Sequence, residues 1–297
     1  MILQQGVNGL ISGSFYALVA LGYSMVYGII KLLNFAHGDI YMTGAFVCLS
    51  VFGALSAILP GWASIICALI AAMFFAAALG FLAQRFAYRP LLGAPRLSLL
   101  ITAIGVSLVI YNAVMFLTNS QPLFFNSGFD NSAGVHIGSI TVTYIQMVML
   151  GVSAFLMVAL TLFIGKTKTG KAMRAIALDQ DACRLMGVNV NKTIGMTFML
   201  GSALAAIAGV MACVYYGNVQ YNMGYTIGIK AFTAAVIGGI GSIPGAMLGG
   251  LLLGLLESAG TQFLGSSWKD VFAFGLLIMI LILRPNGLLG KSEIERM

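Results

Sequence analysis

The polar side chains that could do chemistry are few, and three short segments hold most of them. Asn34, His37, Asp39 and Tyr41 stand close together in NFAHGDIY, between two long apolar runs. Polar groups in such surroundings are costly unless they are paired or wet. Two readings of this segment stand. One is an ordinary loop between two helices, with Asp39 as the N-cap of the second. The other is a helix broken inside a membrane, lining a path along which its unpaired backbone groups face a cavity.

The second segment is GIKAFTAAVIGGIGSIPGAMLGGLLLGLLE, residues 228–257. Pro244 cannot continue a helix and the glycines around it tolerate positive φ, so the middle forms a tight turn. Each arm is short for a full membrane span, which fits a re-entrant or tilted hairpin. Lys230 and Glu257 are the only charges in the two arms. Counted from the turn, both lie toward the outer half and can pair. Lys230 can equally snorkel to the outer headgroups.

The third segment, KTKTGKAMRAIALDQDACRLMGVNVNKT at 166–193, carries a helix with both ends marked. Asp179 can cap its free N–H groups, and Asp181 sits at the positive end of its dipole. Gly187 ends it in a left-handed turn. Ala182, Leu185 and Met186 form a small apolar face, while Lys171 and Arg174 precede it with positive charge. A helix of about seven or eight residues is not stable alone in water. It needs a surface. That surface is either the lipid headgroups, with Lys and Arg on phosphates, or a cytoplasmic protein subunit.

Enzyme and metal chemistry find no such foothold. GxxxxGK[ST], HExxH and GxSxG are all absent, so the chain has no P-loop, zinc-protease or nucleophile-elbow signature. His37 and His136 are distant in sequence, and Cys48, Cys67, Cys183 and Cys213 lack metal-ligand spacing. There is no Arg-rich voltage-sensor helix and no TVGYG filter. The remaining roles are moving something across a membrane, or docking partners that do.

The elements that must position these segments are membrane helices. Of 297 residues, 60% are hydrophobic and 8% charged. No soluble core of this size hides so much apolar surface, so the bilayer is the solvent. A span needs about 20 apolar residues. Apolar runs fall at 7–30, 40–59, 61–84, 97–117, 144–165, 194–216, 226–241, 245–264 and 268–284. They do not alternate, which excludes a transmembrane barrel. The chain reads as an all-α polytopic membrane protein, one transmembrane domain over 1–297, with eight or nine transmembrane helices.

Basic residues cluster at Arg85, Arg89 and Arg96, at Lys166, Lys168, Lys171, Arg174, Arg184 and Lys192, and at Arg284, Lys291 and Arg296. The positive-inside rule puts these three segments in the cytoplasm. The loop 118–143 has no Lys or Arg and faces outside. Residues 1–30 carry no charge, so the rule is silent there. A cytoplasmic turn at Asn34–Asp39 gives an external N-terminus and nine crossings; a break inside the membrane gives eight. No basic n-region precedes Gly6, so no cleavable signal peptide is expected.

Three blocks resemble one family. GSFYALVALGYSMVYGIIKLLNFAHGDIYMTGAF at 13–46, AFTAAVIGGIGSIPGAMLGG at 231–250 and RPNGLLGK at 284–291 match, in order and spacing, the LivH-type permease subunit of the branched-chain amino acid ABC importers. The longer LivM-type sister carries an extra N-terminal hydrophobic stretch that is missing here. The resemblance implies a heterodimer with that sister permease in the bacterial inner membrane. It also implies two cytoplasmic ATPase subunits and a periplasmic amino acid-binding protein that delivers leucine, isoleucine or valine. ATP is then used by the partners, and no cofactor is held by this chain. Lipid surrounds it, and nucleic acid is not among its partners. The family's coupling loop maps onto Lys171–Gly187, which favours docking over resting on lipid and assigns Lys171, Arg174, Asp179, Asp181, Ala182, Leu185 and Gly187 to it. Asn34, His37, Asp39, Tyr41, Lys230 and Glu257 are the candidates for shaping the translocation path. Relatives of this architecture carry urea or short amides, which is the nearest alternative. A self-sufficient channel or secondary carrier, relaying ions through intramembrane Asp and Glu, is the alternative of another class.

The orientation is open to labelling. Single cysteines at Ser127 and at Thr169, in a background lacking the native four, should react with an impermeant thiol reagent from opposite sides. Labelling of both from outside would overturn the charge-based topology.

Overall fold

A computed structural model describes residues 2–31, 33–91, 93–126, 133–137 and 140–290. Ser127, Lys291 and Arg296, which the topology argument uses, lie outside the described residues. Eleven helices follow one another: α1 (Ile2–Ile30), α2 (His37–Leu55), α3 (Gly61–Leu82), α4 (Arg96–Leu117), α5 (Tyr144–Lys166), α6 (Lys168–Leu178), α7 (Gln180–Leu185), α8 (Val190–Tyr216), α9 (Met223–Gly238), α10 (Ile243–Leu264) and α11 (Lys269–Leu283). α3 runs on through a π-helical stretch, Ala83–Tyr88, and a 3₁₀ turn, Arg89–Leu91. Two small antiparallel ladders lie in the outer connections. β1 (Leu123–Phe124) pairs with β4 (Asn218–Val219), and β2 (Gly134–Ile137) pairs with β3 (Ile140–Thr143).

Each expected span corresponds to a helix. Among the described residues, eight helices are long and apolar enough to cross a membrane; α9, at 16 residues, is shorter. α6 was not expected. Its sequence is too polar for a span, yet Gly170, Met173 and Ile176 recur at helical spacing and are buried. The N-terminus sits on the outer side as the charge argument defines it. Gln4 Nε2 donates to the Thr141 carbonyl at 3.0 Å, and Thr141 N–H donates to Gln4 Oε1 at 2.8 Å, fixing α1 to the β2–β3 hairpin. The start of α1 and the β2–β3 hairpin therefore lie at one end of the bundle.

The bundle has an inner and an outer set of helices. The spans of α1 and α8 are 83% and 78% buried, against 22% for α4 and 6% for α11. Exposed Ile66, Ile70 and Phe74 of α3, and Phe155, Val158 and Leu162 of α5, face outward as a lipid-contacting surface does. The inner helices are rich in small residues because helix association in lipid rests on close packing. α1 and α10 cross in contact: Gly254 lies on the backbone of Gly9 and Gly13, where a side chain has no room.

That crossing can be tested. Gly254→Leu should lower the melting temperature in detergent, an overpacking cost of about 1–3 kcal/mol or more. Gly151→Leu should leave it unchanged, since nothing lies near that glycine. Equal loss in both would deny the crossing its role.

Candidate path and docking segment

The segment after α1 turns back into the bundle. Lys31 takes a left-handed conformation, φ +53°, and closes α1 through its N–H to the Tyr27 carbonyl at 2.8 Å. His37, which begins α2, lies against Gly22, about two helical turns before α1 ends. The turn is therefore at the C-terminal end of α1 and yet buried. Each of the two sequence readings captures part of this.

The role given to Asp39 as an N-cap is corrected. Ala36 occupies the N-cap position of α2 and makes no side-chain bond. Asp39 lies within the first turn, and its Oδ2 accepts from Ser107 Oγ of α4 at 2.5 Å. Its other oxygen faces Gly224, in the first turn of α9, where a Cβ would come within 3.0 Å of it. The N-cap residue of α9, Asn222, supplies no side-chain bond. The Asp39 carboxylate thus stands at the positive end of the α9 dipole, a favourable place for an anion.

The neighbouring candidates are packed into the bundle as well, with His37 Nε2 buried and without a hydrogen-bond partner among the described residues. Asn34 Oδ1 accepts from Tyr88 Oη at 2.7 Å, and Tyr88 closes the π-helical stretch against Phe198. His37 is buried and meets the Tyr23 ring edge-on at 4.9 Å. Tyr41 of α2 is buried, its backbone packed against Gly209 of α8. His37 and His136 lie on different elements, and no group of metal-ligating residues occurs among the described residues. What the bundle leaves exposed beside this segment is the start of α9. Asn222, Tyr225 and Thr226 are exposed there, next to the Tyr111–Tyr221 pair at 5.5 Å. The sequence reading missed Ser107 and Tyr111. Their one-turn spacing on α4 was the available signal, but nothing in it named Asp39 as their neighbour.

Lys230 and Glu257 pair, and the snorkelling alternative is overturned. Lys230 Nζ lies 2.5 Å from Glu257 Oε1 and 2.8 Å from Asp270 Oδ1. Lys269 Nζ is 3.5 Å from the same Glu257 oxygen, and Tyr16 Oη donates to Glu257 Oε2 at 2.6 Å. Lys230 and Glu257 are both buried. Two cations and two anions therefore join α1, α9, α10 and α11 in a neutral knot. Asp270 went unnoticed in the sequence because it opens a span and reads as an ordinary helix-start acid. Nearby on the outer side, a cavity of about 470 Å³ is lined by Thr143, Ile145, Gln146, Tyr215 and Tyr216.

The segment 166–193 holds two short helices, α6 and α7. Asp179 caps α7, accepting from the N–H groups of Asp181 and Ala182 at 2.9 Å each. Asp181 lies in the first turn and pairs with Arg184 at 3.0 Å. Gly187 has φ +80°. Its N–H bonds the Arg184 carbonyl and that of Val188 bonds the Cys183 carbonyl, the paired bonds of a Schellman turn. Cys183 is buried, whereas Leu185 and Met186 are 90% and 83% exposed. Ala182 and Lys171 are exposed as well. Arg174 instead turns back to α5, donating to the carbonyls of Ile164 and Gly165.

The ion knot makes a stability prediction. Lys230→Met should destabilise the folded protein by up to about 3–5 kcal/mol, because it takes the nearest cation from a buried carboxylate and leaves Lys269 and Tyr16 beside it. Lys230→Met combined with Glu257→Gln should recover much of that loss. The measure is thermal unfolding in detergent, and a double variant no better than the single would refute the pairing.

Comparison with known proteins fits this geometry. The family described as "Branched-chain amino acid transport system / permease component" matches residues 6–281. The high-affinity branched-chain amino acid transport system permease protein BraD of Pseudomonas aeruginosa is 45% identical, over 99% of this chain and 97% of that protein. The corresponding permease protein LivH of Escherichia coli K12 is 43% identical, again over 99% and 97%. Among solved structures, PsaBC from Streptococcus pneumoniae in complex with Fab covers 94% of this chain and 91% of that one. Its TM-score is 0.49 and its identity 14%, a likeness that carries no argument. The chain, a multi-pass membrane protein and not an enzyme, belongs to the family of permease components of branched-chain amino acid transport systems.

Proposed function

We propose that this chain is the permease subunit of an ATP-driven importer for leucine, isoleucine and valine in a bacterial inner membrane. It forms the translocation path with a sister permease. Two ATPase subunits dock on its cytoplasmic side, and a periplasmic binding protein delivers the substrate. The substrate class rests on the relatives, whose names give it.

The observation that carries the ATP-driven reading is α7. It is capped at both ends, held on the bundle through buried Cys183, and presents Leu185 and Met186 to solvent. A helix of six residues has no stability of its own, so its rigidity comes from those caps. A free channel has no need of a rigid apolar knob in the cytoplasm. An ATPase subunit with a matching cleft does. Lys171 stands exposed on α6, the helix that leads to this knob, and can meet acidic groups on the same partner.

The path reading is supported by the state of the charges. Lys230, Glu257, Lys269 and Asp270 are taken up by one another, and Asp39 by Ser107 and the start of α9. These groups shape the bundle and leave no strong grip for a zwitterion. Weak binding suits a conduit fed by a separate high-affinity protein, because a tight site would stall release. The polar, exposed start of α9 is costly against lipid and suits a wet path shared with the sister permease.

Two experiments follow. Asp179→Ala and Gly187→Val should leave the protein inserted and weaken its hold on the ATPase. Loss of the cap costs about 0.5–2 kcal/mol, and a β-branched residue does not readily take positive φ. Unchanged co-purification of the ATPase with membranes, together with unchanged transport, would reject docking. Glu257→Gln should lower assembly or transport rate without altering preference among leucine, isoleucine and valine. A changed ratio with the maximal rate intact would show that Glu257 reads the substrate.

A further inference from the structure

Arg174 is exposed on α6, but one edge of its guanidinium is turned back onto the preceding helix. Nη1 donates to the Ile164 carbonyl at 2.6 Å and to the Gly165 carbonyl at 3.0 Å. Both carbonyls belong to the last turn of α5, where helix geometry leaves acceptors without partners and the dipole favours a cation. Thr167 works at the same joint. Its Oγ1 donates to the Phe163 carbonyl at 2.7 Å and accepts the Gly170 N–H at 3.0 Å, so one side chain closes α5 and opens α6. Gly170 lies directly on the Ile164 backbone, with no room for a side chain. The α5–α6 elbow is thus fastened at three points.

α6 also borders a cavity of about 80 Å³, lined by Met173, Arg174 and Ala177 together with Ile164 of α5, Gly28 and Ile29 of α1, and Ile243 of α10. From this segment toward the end of α1, Gln180 Nε2 donates to the Ile29 carbonyl at 3.5 Å, at the limit of hydrogen bonding. Charge-assisted bonds are roughly twice as strong as neutral ones. A load applied at α7 therefore meets charge-assisted bonds toward α5, and apolar packing with a neutral bond at its limit toward α1.

We propose that Arg174 is a positioning residue that welds α6 to α5, so that force from the docked ATPase enters the membrane through α5. This rests on the permease reading above and reassigns Arg174 from the docking surface to the joint behind it. Force on the knob moves α6 and α5 together, and the cavity beside α1 gives the pair room to move.

The test compares the parent, Arg174→Ala and Arg174→Lys in the assembled transporter. In proteoliposomes, ATPase retention, ATP hydrolysis and leucine taken up per ATP are measured together. Arg174→Ala should keep the ATPase bound and hydrolysing while uptake per ATP falls several-fold. Arg174→Lys, which keeps a cationic donor at the carbonyls, should restore most of the ratio. A parental ratio in Arg174→Ala overturns the weld. So does loss of the ATPase from Arg174→Ala, which would make Arg174 a docking contact. A parent that binds no ATPase at all would sink the permease reading itself, a result separable from either of these.

Discussion

Everything in this fold is arranged around an uncharged helix that must be buried on every side. α1 carries no ionisable group before Lys31 apart from tyrosines, and its span is the most enclosed in the molecule. In a bilayer the hydrophobic effect does not distinguish a helix neighbour from a lipid tail, so close packing must hold α1 in place. The α1–α10 crossing provides that, with Gly254 seated on the backbone of Gly9 and Gly13. Once α1 is fixed, its ends fix the rest. Its outer end is tied to the β2–β3 hairpin through Gln4. Its inner part receives His37 at Gly22 and the α9–α10 turn at Ser24, whose Oγ accepts the Gly241 N–H at 2.9 Å.

The charges follow from the same constraint. A lone ion inside such a bundle is expensive, and each buried one here has a partner. Lys230 is answered by Glu257 and Asp270, and Asp39 by Ser107 and a helix start. These arrangements tie α9 and α11, the two shortest passes, to longer neighbours. α11 needs this most, since little of its surface is buried. At its far end, the N–H groups of Leu288 and Leu289 bond the last carbonyls of α9, those of Ile237 and Gly238, at 2.9 Å each.

The spans were legible because length and apolarity alone define them. The caps of α7 were legible too, because Asp179 and Gly187 act on their own neighbours in sequence. α6 was not, since a polar amphipathic helix looks like a loop beside spans of unbroken Leu, Ile and Val. The partners of Asp39 and Lys230 lie on elements far away in sequence. Ser107 and Asp270 carry no local sign of the pairing. The Lys230–Glu257 pair could be read only because both lie at similar distances from one turn. Arg174 illustrates the limit: its charge is visible in the sequence, but the carbonyls it serves belong to the preceding helix and only the elbow brings them within reach.

The central claim is that this chain moves its cargo only when driven through the exposed face of α7. The direct measurement is leucine uptake into proteoliposomes holding the chain with its sister permease, ATPases and binding protein. The parent is compared with the double substitution Leu185→Asp and Met186→Asp. The account predicts ATP-dependent uptake by the parent. In the variant it predicts an inserted, folded permease that neither retains the ATPase nor transports. Full uptake by the variant, or leucine flux through this chain alone without ATP, would contradict it.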